Sequence, residues 1–169
     1  MPRHTLPSDA PEGTVWFGGD PDGVGLCLRV FGDDLDPDEV TRVLGHAPSR
    51  SERKGERVEA VAGLTARIAR TGSWTLHYAI EPKATIEEGI QKLLEDLPSD
   101  DAIWQSLAQR HKIDLFCDVF VRGVNQGFVL APNILELLGR RRIGLAIDIF
   151  CEPDPEQATA LSKRLGDSR

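Results

Sequence analysis

Apolar and polar positions alternate along four stretches of the chain. In Val24-Gly-Leu-Cys-Leu-Arg-Val-Phe31, a strand places Val24, Leu26, Leu28 and Val30 on one side. After the turn Thr71-Gly-Ser73, Trp74, Leu76, Tyr78 and Ile80 share a side, with Thr75, His77 and Ala79 on the other. Ile113, Leu115, Cys117, Val119 and Val121 alternate with Asp114, Phe116, Asp118 and Phe120. Ile143, Leu145, Ile147 and Ile149 alternate with Gly144, Ala146, Asp148 and Phe150. Each stretch reads as a strand with one side against a core.

Between them the apolar period lengthens to that of a helix. Asp36-Pro37-Asp38-Glu39 predicts a helix start, with Asp36 as cap, Pro37 in the first turn and Glu39 at capping-box spacing; Gly45 is placed to end it. Thr85 and Glu88 form a second capping box before Ile90, Leu93, Leu94 and Leu97, with Pro98 as terminator. Ser99-Asp-Asp101 caps a helix carrying Ile103, Trp104, Leu107 and Ala108. Pro132 opens another, stopped by Gly139 and Arg140-Arg-Arg142, a basic run suited to a helix C-terminus. Ala47 to Ala69 reads as an exposed loop with an added strand at Leu64–Ala69, Phe128–Leu130 as a short edge strand, and Pro155–Leu165 as a last helix.

The order is strand–helix–strand, helix–helix, strand–helix–strand. It predicts an α+β fold in which two βαβ-type halves form one mixed sheet with helices packed on one face, a split-βαβ or ferredoxin-like arrangement. Parallel pairing within each half is expected. The expected organisation is an N-terminal arm over 1–22, a single α+β domain over 23–151, and a C-terminal tail or short helix over 152–169.

Composition narrows the function. With 20 Lys and Arg against 27 Asp and Glu, the net charge of −7 disfavours nucleic acid and anionic membrane as partners. The basic residues of Arg50–Arg57 and Arg140–Arg142 are explained by a solvated loop and a helix cap. Cys27, Cys117 and Cys151 are odd in number and lack Cys-x-x-Cys spacing, which points to free thiols in a reducing compartment. The N-terminus has no apolar signal-like region and no apolar run spans a bilayer, so the expectation is a soluble cytoplasmic protein. His4, His46 and His111 are scattered, Gly23-Val-Gly25 precedes a strand rather than a helix, and Ser73 and Ser106 lack nucleophile-elbow context. No catalytic residue, metal ligand set or cofactor is assigned.

Several segments carry a likeness: Leu26-Cys-Leu-Arg-Val-Phe-Gly-Asp-Asp-Leu-Asp-Pro-Asp-Glu-Val-Thr-Arg-Val-Leu-Gly45, Pro48, Lys54-Gly55 and Thr71-Gly-Ser-Trp74, then Gly127-Phe-Val-Leu, Leu135–Gly139 and Ile147-Asp-Ile-Phe150. From Val24 to Phe150 the chain resembles the bacterial domain-of-unknown-function family 4279. The resemblance implies a compact α+β domain and brings no activity or catalytic residues with it.

If every apolar strand face meets the helices, the opposite faces share one surface. It collects Cys27, Arg29 and Phe31, then Thr75 and His77, then Asp114, Phe116, Asp118 and Phe120, and finally Asp148 and Phe150. Cross-strand Arg–Asp pairs account for part of this polarity. Phe31, Phe116, Phe120 and Phe150 on an otherwise polar surface point to a covering partner. The candidate ligand or partner face is Arg29, His77, Phe116, Asp118, Phe120, Asp148 and Phe150, with Cys27 read as a core or surface thiol rather than a nucleophile. The expected function is a non-enzymatic binding or protein-interaction domain acting through this face or the Ala47–Ala69 loop, by partner binding or self-association. One version is an immunity-type protein that covers a basic toxin surface. The alternative is a small-molecule or metal-binding protein or enzyme using Arg29, His77, Asp118 and Asp148.

Overall fold

The computed structural model describes residues 20–59, 65–81, 84–122 and 126–152. The arm over 1–19 and the C-terminal helix expected at 155–165 lie outside them. In chain order the elements are β1 (Gly23–Gly32), α1 (Pro37–Leu44), β2 (Arg50–Glu52), β3 (Arg57–Val58), β4 (Arg67–Ile68), β5 (Gly72–Tyr78), α2 (Ile86–Glu95), α3 (Asp101–Arg110), β6 (Lys112–Arg122), α4 (Pro132–Arg140) and β7 (Gly144–Glu152). Among the described residues they form a five-stranded mixed sheet in the order β2-β5-β1-β6-β7 and a small β3-β4 sheet, with the helices on one side of the large sheet. The α+β class and one-sided helical layer are as the alternation predicts.

The pairing differs in one respect from that expectation. β6 and β7 are parallel neighbours around α4, but β5 runs antiparallel to β1. β1 instead shares its direction with the three-residue β2, and β5 lies between them. In turn β5 and β6 share a direction with β1 between them. Two split βαβ units are therefore interleaved, and the first closes through a strand in the stretch read as loop. Arg50-Ser-Glu52 is too short and polar to give an alternation signal. Phe128–Leu130 forms no strand; Phe128 and Leu130 pack against the core while Val129 faces out.

Local chemistry sets the helices. Asp36 caps α1 by accepting the Asp38 amide, and Gly45 ends it at φ 67°. Glu39 does not close a capping box; it accepts two bonds from Arg110 of α3. In α2 both halves of the box are present, Glu88 N–H to Thr85 and Thr85 N–H to Glu88. Gly139 lies inside α4 rather than stopping it, and Arg142 takes the left-handed conformation beyond it at φ 56°.

The core lies between sheet and helices: Leu26, Leu28, Val30, Trp74, Leu76, Leu115 and Val119 meet Val40, Leu44, Ile90, Leu93, Trp104, Leu107, Ile134 and Leu138. Trp74 and Trp104 are both fully buried, which requires an acceptor for each indole N–H. Thr41 Oγ1 supplies one at 3.0 Å and the Pro98 carbonyl the other at 2.8 Å. Arg141, read as one of three dipole-compensating residues, is buried. Its guanidinium lies 5.5 Å from the Trp104 ring, pairs with Asp101 at 3.2 Å and reaches the carbonyls of Leu94 and Ser99. It thereby joins α4 to α2 and α3.

The open face of the sheet as a candidate interaction site

Strand register places the candidate residues on the side away from the helices. Cys27 lies between His77 and Phe116, and Arg29 between Thr75 and Asp114. Gly25 lies beside Asp118, which is beside Asp148; Gly23 lies beside Phe120, which is beside Phe150. The shared surface is therefore present, but it divides into parts with different chemistry.

The middle is internally satisfied. Arg29 Nε donates to Asp114 Oδ1 at 2.7 Å, and the guanidinium carbon lies 4.2 Å from the Phe116 ring centroid and 5.5 Å from that of Phe31. Asp114 is buried beneath this arrangement. Arg29 is thus a structural cation shared between one carboxylate and two rings. Cys27 is buried, not solvent-accessible, because His77 and Phe116 flank it. Burial pushes its thiol pKa up to about 11, only partly offset by Arg29, and that of Cys117 to about 12. Neither is a thiolate nucleophile near neutral pH.

The β6–β7 end is open. Phe120 and Phe150 stack with centroids 5.0 Å apart and planes 16° from parallel, yet are 46% and 44% exposed. Gly23 lies beside this pair, where a Cβ would make ordinary contact with Phe120 at 3.6 Å. Gly25 is the tighter position: a Cβ there would lie 3.3 Å from Asp118 Oδ2, so glycine leaves room for that carboxylate. Asp118 and Asp148, directly opposite in register, add two carboxylates beside the rings. On the other side of β7, Ile147 and Ile149 are 41% and 56% exposed, so this edge is apolar on both faces.

His77 does not join that end. It is exposed on β5, and β1 and β6 separate it from β7, a span of roughly 14 Å at the usual strand spacing. Among the described residues no group of three His, Cys, Asp or Glu side chains converges as a metal site would. The metal-site grouping of His77 with Asp118 and Asp148 is not assembled, and Arg29 is committed to Asp114.

The remaining corner falls in the Ala47–Ala69 stretch that the sequence offered as the second candidate, without naming its residues. Glu52 on β2 is buried and accepts from Arg67 Nη2 through both oxygens at 2.7 and 2.8 Å and from Arg50 Nε at 3.0 Å. These bonds tie the β3–β4 hairpin to the main sheet beside an open cavity of about 880 Å³. The available signal was the opposite charges of Arg50 and Glu52 two residues apart on an extended stretch, which puts them on one side.

Fold and face together define an open-faced α+β domain: a mixed sheet with one side packed by helices and the other ending in an exposed acidic–aromatic patch. The chain belongs to the family described as Domain of unknown function (DUF4279), whose model matches residues 23–152. No curated protein and no solved structure matches it. Among the described residues, no helix is long and apolar enough to cross a membrane.

Proposed function

We propose that the chain is a cytoplasmic protein-interaction domain, its first four main-sheet strands ferredoxin-like, whose binding surface is the β6–β7 end of the open face. The observation that carries this is the stacked, half-exposed Phe120–Phe150 pair beside Asp118 and Asp148. Aromatic rings that stay substantially wet are uncommon without a binding role, and two adjacent carboxylates select a cationic complement. The partner is a protein with a basic surface around an apolar spot, approached under the pull of the chain's −7 charge. An immunity-type role fits this chemistry: the domain would mask the basic working surface of a toxin.

The test uses the full chain and a partner found by crosslinking in the native cell, then purified. Wild type forms a complex of defined stoichiometry that weakens as salt rises from about 50 to about 300 mM. D118K/D148K and, separately, F120S/F150S lose at least tenfold in affinity while keeping the wild-type melting curve. A complex that both variants retain removes this surface from consideration. For the immunity-type version, the partner is a toxic enzyme that one equivalent of wild type silences and D118K/D148K does not.

A further inference from the structure

At the opposite end of the open face, roughly 25 Å along β1 from Gly23, Phe31 forms part of the wall of the 880 Å³ cavity beside the β3–β4 hairpin. The volume lies within the range of small-molecule sites. The cavity is locally cationic in an acidic protein. Lys54, Arg67 and Arg70 line it, with Arg50 alongside, whereas the carboxylates nearby are Glu52, Asp33 and Asp34. Two of them are already engaged: Glu52 by Arg50 and Arg67, Asp33 by Lys54 at 2.5 Å. Arg70 has no ion pair among the described residues and is exposed at the cavity wall.

The rest of the wall is apolar or hydroxylic. Phe31 and the 58%-exposed Ile68 offer hydrophobic surface, and Ser73 offers a hydroxyl, whereas that of Thr71 is already bonded to Asp33. Because Glu52 is buried with three bonds, the floor is rigid and its charge is not available to repel an anion. We propose that this cavity binds a small organic anion, a flat apolar body bearing one carboxylate or phosphate, with Arg70 pairing the anionic group and Phe31 and Ile68 contacting the body. A guanidinium suits both head groups because its fork donates two parallel bonds to either. This site is independent of the β6–β7 surface, so either can fail without the other.

The test is an amide NMR titration of the full chain with benzoate, phenyl phosphate and uncharged benzamide. Both anions saturate with shifts concentrated at Lys54–Gly55 and Arg67–Ser73, in the millimolar range or tighter, and benzamide binds at least tenfold more weakly. Arg70→Ala lowers anion affinity about tenfold, and the exposed Ile68→Ser about threefold, each with an unchanged melting curve. A preference between benzoate and phenyl phosphate identifies the head group. No saturable shift at these amides up to about 10 mM of either anion overturns the proposal. So does anion binding that Arg70→Ala leaves intact, or benzamide binding as well as benzoate.

Discussion

Cys27 shares the open side of β1 with Arg29 and Phe31, and parity alone would expose it. Its surroundings decide otherwise: flanked by Phe116 and His77 on the neighbouring strands it is buried, and the thiol is held up at about 11. Cys117 faces the core and is held up at about 12, while Cys151 is exposed near the end of β7. Native protein with iodoacetamide at pH 8 therefore labels Cys151 alone, and denatured protein labels all three; mass spectrometry reads the difference. Rapid labelling of Cys27 in the native state would show that this part of the sheet opens. His111 provides a second residue-scale prediction. It is buried beside Gly32, its Nδ1 lacks a hydrogen-bond partner among the described residues, and desolvation, then Arg110, lower its pKa against the opposing pull of Glu39 and Asp34. The folded state thus favours the neutral ring. Between the lowered folded pKa and about 6.5 the unfolded chain binds more protons, so stability is complete above this window and falls as pH drops through it. Urea midpoints from pH 7.5 to 5 should fall for wild type, with a shallower dependence for His111→Leu.

Elements were legible where side chains repeat with one period and opaque where a single residue links distant parts. The alternations of β1, β5, β6 and β7 and the caps at Asp36 and Thr85 could be read directly, because each is encoded within a few adjacent residues. The candidate residues lie on one side of the sheet by the same parity, but His77 stands three strands from β7. The division of that side into a satisfied middle and an open end was not legible. That depends on which Asp meets Arg29, a property of register between strands 85 residues apart. β2 was hidden because three polar residues carry no period, so the direction of β5 relative to β1 was misread with it. Arg141 was hidden among Arg140-Arg-Arg142 because the sequence of a basic run does not say which member turns inward. The two kinds of feature should differ in energy. Thr85→Ala removes one exposed cap and costs about 1 kcal/mol. Arg141→Ala leaves Asp101 and buried carbonyls without their donor and should cost about 2–4 kcal/mol, with loss of α3–α4 packing seen in the Trp104 fluorescence.

For the molecule as a whole, the sheet has an interior and an edge, and function depends on which of them a partner meets. β1 is bonded to β5 and β6 along most of its length, so its amides are held from both sides and should exchange with solvent only on extensive unfolding. β7 is bonded to β6 alone among the described residues, with Ile147, Ile149 and Phe150 flanking its free edge. In a strand bonded on one side, successive amides point alternately toward the neighbour and away from it. Hydrogen exchange at low protein concentration should therefore show a sawtooth along 145–151, every second amide exchanging fast, above a uniformly slow β1. The proposed surface makes a further demand. A partner seated on Phe120, Phe150, Asp118 and Asp148 covers side chains on one face and leaves the outward amides of β7 to water, so the sawtooth survives complex formation. A partner, or a second copy, that adds a strand at this edge would bond those amides and level the pattern. Levelling that grows with protein concentration would assign β7 to self-association, and levelling on addition of the partner would move the binding site from the face to the edge.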